Sequence, residues 1–177
     1  MLSTCNVHLV ILVYMKIALR SLLLLLISLA LLQANAPARE QKKLPLTQSL
    51  PLLKTIEKYA LHIGSGPTQV YLFVDPLCPM SQEFISLISQ SKRMQKLYSY
   101  HIHLYELERF HSKALITTIY SHSNPLEAIL SVMVKEEPLK SSKKSDAIHI
   151  VDKVSAIAKK LNVYKRPYLV LVKRRKK

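Results

Sequence analysis

The chain predicts a small α/β layer domain carried behind an export leader. Three observations support this. Strand-type apolar runs alternate with helix-type periodicity in the order strand-helix-strand-helices-strand, the pattern of helices packed on a sheet. The first strand runs through Tyr71-Leu72-Phe73-Val74-Asp75-Pro76-Leu77 into Cys78, and a helix-compatible segment follows at once. The apolar run of residues 21–32, with basic residues before it and small residues after it, has the layout of a secretory signal peptide.

The leader reads in detail as follows. Lys16 and Arg20 form the positive region and residues 21–32 the apolar core. Ala34-Asn35-Ala36 and Ala36-Pro37-Ala38 are small-residue cleavage sites. Cleavage after Ala38 is preferred, because Pro37 obstructs a peptidase at the first site. Residues 1–14 read as an upstream artefact of start-codon choice. The alternative is an uncleaved anchor, since residues 10–32 are long enough to span a bilayer if two basic residues are tolerated. Both readings place the folded part in an exported compartment, the periplasm. The expected organisation is therefore leader or anchor over 1–38, linker and amphipathic helix over 39–67, and the α/β domain with a basic tail over 68–177.

Within the linker region, residues 39–49 are polar and basic. Residues 50–63 set Leu52, Leu53, Ile56, Tyr59, Ala60 and Ile63 at helical spacing, and Gly64-Ser65-Gly66-Pro67 ends that helix. Residues 69–74 form the first strand, and residues 82–97 are helix-compatible. In residues 98–107, Tyr100, Ile102 and Leu104 alternate with His101, His103 and Tyr105, a period-two strand whose histidines lie on a solvated face. Residues 112–120 make a short helix. Asn124 caps another with Pro125 in its first position, running to residue 135, where Glu136-Glu137-Pro138 stops it. Residues 140–144 are a solvated loop. A helix from Ser145 or Asp146 to residue 161 aligns Ile148, Val151, Val154, Ile157, Ala158 and Leu161 on one face. Tyr168 to Val172 is a buried-type strand.

The 177 residues permit one ordinary domain. Lys and Arg number 26 against 11 acidic residues, a formal charge of +15 that attracts acidic surfaces. No stacking aromatics are interleaved with the basic clusters at 140–144 and 173–177, so nucleic acid is not an expected partner. For an exported protein, Lys173, Arg174, Arg175, Lys176 and Lys177 fit an anionic membrane surface or a solubilising tail.

The chemistry centres on Cys78. Cys5 lies in the leader, which leaves one cysteine in the mature chain. A lone cysteine in an oxidising compartment is a reactive thiol or a site of intermolecular pairing, if it is not an inert core residue. At a helix N-terminus it meets unpaired backbone N–H groups and the positive end of the helix dipole, which favour the thiolate. The site reads Cys78-Pro79-Met80-Ser81, where a dithiol redox protein has Cys-x-x-Cys. Ser81 cannot resolve a mixed disulfide, but it can donate a hydrogen bond to a thiolate. Pro79 sets the first helical turn and Met80 shapes the apolar surface around the thiol. Asp75 precedes Pro76 in a turn-forming pair. His101 and His103, with His111 or Cys78, are a conceivable metal set, but no further ligand stands at useful spacing and no metal is expected.

Three passages resemble the thioredoxin fold, and within it the bacterial periplasmic disulfide isomerases of the DsbC/DsbG group. Phe73-Val74-Asp75-Pro76-Leu77-Cys78 looks like that group's Phe-x-Asp-x-x-Cys lead-in. Ala158-Lys159-Lys160-Leu161-Asn162-Val163 is similar to the helix end before its cis-proline, and Arg166-Pro167-Tyr168-Leu169-Val170-Leu171-Val172 to the cis-proline and its strand. The resemblance covers residues 69–172 and implies a thioredoxin-like fold with a helical insertion. The C-terminal hairpin strand and last helix are missing from the pattern, as is an N-terminal dimerisation domain. It implies that Pro167 is cis and offers backbone to a client beside Cys78, with Arg166 at the same surface and Asp75 in an orienting role. The implied activity is thiol-disulfide exchange through Cys78, supported by Ser81, with no prosthetic group. The implied partners are cysteine-containing exported clients and a reductase or small thiol that regenerates the free thiol. The alternative is a non-catalytic binding or chaperone module of the cell envelope or of a secretion or conjugation system. Glutathione-linked chemistry is a third reading.

Overall fold

A four-stranded mixed sheet forms the centre of the computed structural model, which describes Arg20, residues 43–142 and residues 144–173. Apart from Arg20, the expected leader of residues 1–38, with Cys5, and the tail residues Arg174, Arg175, Lys176 and Lys177 lie outside the described residues. The elements in chain order are α1 (Leu46–Ile56), β1 (Leu61–Ile63), β2 (Thr68–Val74), α2 (Pro79–Gln90), α3 (Lys92–Leu97), β3 (Tyr98–Leu104), α4 (Lys113–Ser121), α5 (Pro125–Met133), α6 (Ser145–Lys160) and β4 (Tyr168–Val172). The strand order is β1-β3-β2-β4. β2 and β3 run parallel with Tyr71 opposite His101 and Phe73 opposite His103, and β1 and β4 are antiparallel to their neighbours.

Both faces of the sheet are covered, which explains why β2 reads as an almost unbroken apolar run. On one face Val70, Leu72, Val74, Tyr100, Ile102 and Leu104 pack against Ile85 and Ile88 of α2, Ile116 and Ile119 of α4, and Ile129 of α5. On the other, Tyr71, Phe73 and Tyr168 pack against Leu53 and Ile56 of α1 and Val154 and Ala158 of α6. Each fully buried side chain of this size contributes roughly 1.5–3 kcal/mol.

Three elements differ from the sequence reading. The helix expected over 50–63 starts earlier, at Leu46, and ends at Ile56. Leu61 and Ile63 then alternate with exposed His62 and pair with Ile102 and Tyr100. Ile63, counted at helical spacing, belongs with Leu61 to an edge strand, so the sheet begins ahead of residue 68. The segment 82–97 is broken at Ser91, whose extended backbone ends α2 and whose Oγ accepts from the Met94 amide at 3.3 Å, capping α3. The turn between β1 and β2 explains the break. The Ser65 amide donates to the Gln95 carbonyl and the Gly66 amide to the Tyr98 carbonyl, at 2.9 and 3.1 Å. A Cβ on Gly66 would lie 2.1 Å from the Leu97 carbonyl carbon, so only glycine lets the two backbones approach. The third difference is the histidine face of β3, taken up below.

Candidate active site

β2 delivers the chain to Cys78, which takes an extended backbone (φ −84°, ψ 118°) as the N-cap of α2. Its carbonyl accepts from the Ser81 and Gln82 amides at 2.9 and 3.0 Å, and its amide donates to the Asp75 carbonyl at 3.0 Å. Pro79 occupies the first helical turn, where a missing N–H breaks no helical bond. The thiol thus stands at the end of a helix whose peptide dipoles favour negative charge. Its Sγ faces the Arg166 carbonyl oxygen at 3.9 Å, across 88 residues of sequence, and the Arg166–Pro167 peptide bond is cis. Cys78 is 2 % exposed, whereas its neighbours Leu77 and Met80 are 40 % and 60 % exposed. The thiol is therefore recessed beneath an apolar rim.

Ser81 is buried one turn into α2, and its Oγ accepts from the Asp75 amide at 3.4 Å. Asp75 is 0 % exposed and its carboxylate is shared three ways. Oδ1 accepts from the Leu77 amide at 2.9 Å, while Oδ2 accepts from the Leu107 amide and from Ser112 Oγ, the latter at 2.8 Å. One carboxylate therefore closes the turn before Cys78 and ties it to the loop after β3.

Arg166 is buried, with its guanidinium turned inward. Nε donates to the Tyr105 carbonyl and Nη2 to the Glu106 carbonyl, both at 2.9 Å, and Nη1 reaches the Lys165 and Val163 carbonyls at 2.8 and 3.3 Å. Its carbon Cζ sits 4.0 Å above the Tyr105 ring. Burial draws its pKa down, against Tyr105, Asp75 and Cys78, which favour the charged form. Arg166 thus faces the thiol with its backbone carbonyl, and its side chain staples the Pro167 loop to the loop after β3. Between those loops lies a cleft of about 710 Å3, within the range of small-ligand sites.

The histidine face of β3 is a correction. His101 and His103 are buried, because α1 and α6 cover the face that the sequence reading left to solvent. His101 stacks on Tyr71 with ring centroids 4.8 Å apart and pairs with Gln69 Oε1. His103 lies among Tyr71 and Phe73, and neither ring nitrogen has a partner among the described residues. Burial lowers the pKa of His101 and pulls that of His103 down to about 3. Among the described residues, no three His, Cys, Asp or Glu side chains come together as a metal site.

The buried imidazole has a consequence for stability. The folded state refuses a proton that an unfolded His103 accepts below about pH 6.5. Its share of stability is complete above that pH and is lost as the pH falls toward its folded pKa of about 3. Between about pH 7 and pH 5 this amounts to about 2 kcal/mol, and His103→Leu removes that share of the slope. Urea unfolding at the two pH values checks this, and an unchanged slope in the variant contradicts it.

Solved structures share this architecture. A disulfide interchange protein from Neisseria gonorrhoeae matches with TM-score 0.51 and 14 % identity, over 66 % of this chain and 86 % of that one. The catalytic domain of Proteus mirabilis ScsC matches with TM-score 0.52 and 13 % identity, over 70 % and 85 % of the two chains. ScsC in a compact conformation gives TM-score 0.55 and 12 % identity, over 94 % and 89 %. The chain has a thioredoxin-like fold. No protein-family model matches it, and neither does any curated protein.

Within this thioredoxin-like frame, Cys78, Pro79, Ser81, Asp75, Arg166 and Pro167 come together, and Met80 lies on the exposed rim beside Leu77. Sequence reading missed Leu107 and Ser112, which hold Asp75, and Tyr105 and Glu106, which hold Arg166. Ser112 stands 37 residues from its partner with no local pattern to mark it. A buried acid expected to need donors was the one available signal.

Proposed function

We propose that this protein is an exported, monothiol thiol-disulfide exchange protein of the disulfide-isomerase type, acting through Cys78. The observation that carries this reading is the thiol at the α2 N-cap, opposite the carbonyl that precedes cis-Pro167. The Cys78 thiolate attacks one sulfur of a client disulfide, and a new S–S bond to Cys78 forms as the client bond breaks. The second client sulfur leaves as a thiolate. Another client thiolate then attacks the client sulfur of the mixed disulfide, forms a new client disulfide and releases Cys78 as a thiolate, whereas return of the first sulfur only restores the original bond. Electrons balance within the client, so disulfides are shuffled without net oxidation. Ser81 cannot serve as the second sulfur, so a trapped adduct needs a small thiol or a partner reductase. Cysteine-containing exported proteins are the proposed clients, and the basic tail at 173–177 is proposed to meet anionic lipid. Among the described residues no helix is long and apolar enough to cross a membrane.

The burial of Cys78, 2 % exposed, favours a second reading: a binding or chaperone module of the envelope that kept the fold and lost turnover. Reaction of the native protein with a small aromatic disulfide separates the two. Exchange chemistry predicts one adduct on Cys78 within minutes, absent in Cys78→Ser, and catalysis of reshuffling in a scrambled client. Labelling that requires urea leaves only the binding module.

A further inference from the structure

Two clefts of different charge are lined by neighbours of Cys78, one by Arg166, whose carbonyl faces the thiol, and the other by Leu77 and Gln82. The one against the Pro167 loop carries both signs, with Glu106 and Glu108 alongside Arg109 and Lys165. The other, of about 610 Å3, is lined by Leu77, Leu115, Val132, Leu139, Glu136 and Glu137, with no cation among the described residues that line it. Its lining residues Leu77 and Gln82 bracket Cys78 in sequence, and Gln82 binds the Pro76 carbonyl from the first turn of α2, at 2.9 Å. The loop bearing the glutamates is tied to α5, the Glu137 amide donating to the Ser131 carbonyl at 2.9 Å. Among the described residues neither glutamate has a cation within salt-bridge distance. A chain with a formal charge of +15 thus sets two carboxylates, without an ion-pair partner among the described residues, on an apolar cleft that Leu77, the neighbour of its candidate nucleophile, also lines.

We propose that this cleft receives the client segment adjoining the reacting cysteine, and that it selects an apolar residue accompanied by lysine or arginine. The inference rests on the exchange reading above. The apolar lining removes client side chains from water, and the two exposed carboxylates at its rim meet the client cation, where complementary charge favours the encounter and fixes its register. An acidic flank meets like charge there and is rejected. Selection runs against the overall charge of the chain, which by itself favours acidic peptides.

The test uses the full-length protein and two cysteine peptides, each blocked by a small aromatic thiol, one flanked by Leu-Lys-Lys and one by Leu-Glu-Glu. At about 0.15 M ionic strength, where the screening length is about 8 Å, release of the aromatic thiol is expected to be roughly tenfold faster from the basic peptide. The double variant Glu136→Gln, Glu137→Gln loses this preference and keeps the wild-type rate toward a small neutral disulfide. Equal peptide rates, an acidic preference, or a preference that survives in the double variant overturns the proposal while exchange itself stands. Rates that fall for both peptides as protein concentration rises mean that a second copy fills the cleft, which also overturns it. No reaction with the small neutral disulfide removes the exchange reading, and this inference with it.

Discussion

Asp75→Ala lowers the unfolding free energy by about 4 kcal/mol, because the loss of one carboxylate orphans three donors, one buried and two partly buried, at roughly 1–3 kcal/mol each. The donors are the Leu77 amide, the Leu107 amide and the Ser112 hydroxyl. Asp75 is fully buried, so bulk water does not replace the lost acceptor. Asp75→Asn falls between wild type and alanine, since its amide oxygen still accepts while its NH2 group faces donors. The urea midpoint and slope measure the loss, and amide exchange reports where it falls. Faster exchange is expected at Leu77 and Leu107. A loss under about 1 kcal/mol means the carboxylate does not hold the two loops together.

The second large effect is at Arg166. Arg166→Met keeps most of the apolar stem and removes the fork that serves the carbonyls of Tyr105, Glu106, Val163 and Lys165. About 3 kcal/mol of stability is expected to go with it. The same substitution frees the Pro167 loop, whose Arg166 carbonyl covers the thiol at 3.9 Å. Cys78 should then react faster with a small disulfide, by roughly threefold or more, even as the protein loses stability. Arg166→Lys does not rescue, because one ammonium cannot reproduce a planar fork that reaches four carbonyls. A variant that is destabilised but reacts at the wild-type rate would show that the guanidinium supports the core without controlling access to the thiol.

The elements legible in the sequence are those whose signal is local. α6 was marked by its apolar spacing, and Asn124 with Pro125 marked the start of α5, where Asn124 Oδ1 accepts from the Glu127 amide at 3.3 Å. β2 and β4 were marked by short apolar runs bounded by turn residues. Misreadings fell where one pattern has two solutions. Ile63 fits either a helix face with Tyr59 and Ala60 or an edge strand with Leu61, and pairing with β3 decides between them. Polar His101 and His103 in a period-two strand imply a wet face only if nothing packs there. The covering helices come from residues 46–56 and 145–160, remote in sequence from β3.

For the site, the sequence alone determined that one cysteine follows a strand, that a proline and a helix come next, and that an Arg-Pro pair lies near the far end of the chain. These are facts of order and residue type. Tertiary structure decided that the Cys78 thiol is recessed and that Arg166 shows it a carbonyl while the guanidinium points inward. It also decided that Asp75 is claimed by donors 32 and 37 residues away. Burial and hydrogen bonding depend on which distant segments close over a residue, and neither is encoded in its neighbours along the chain.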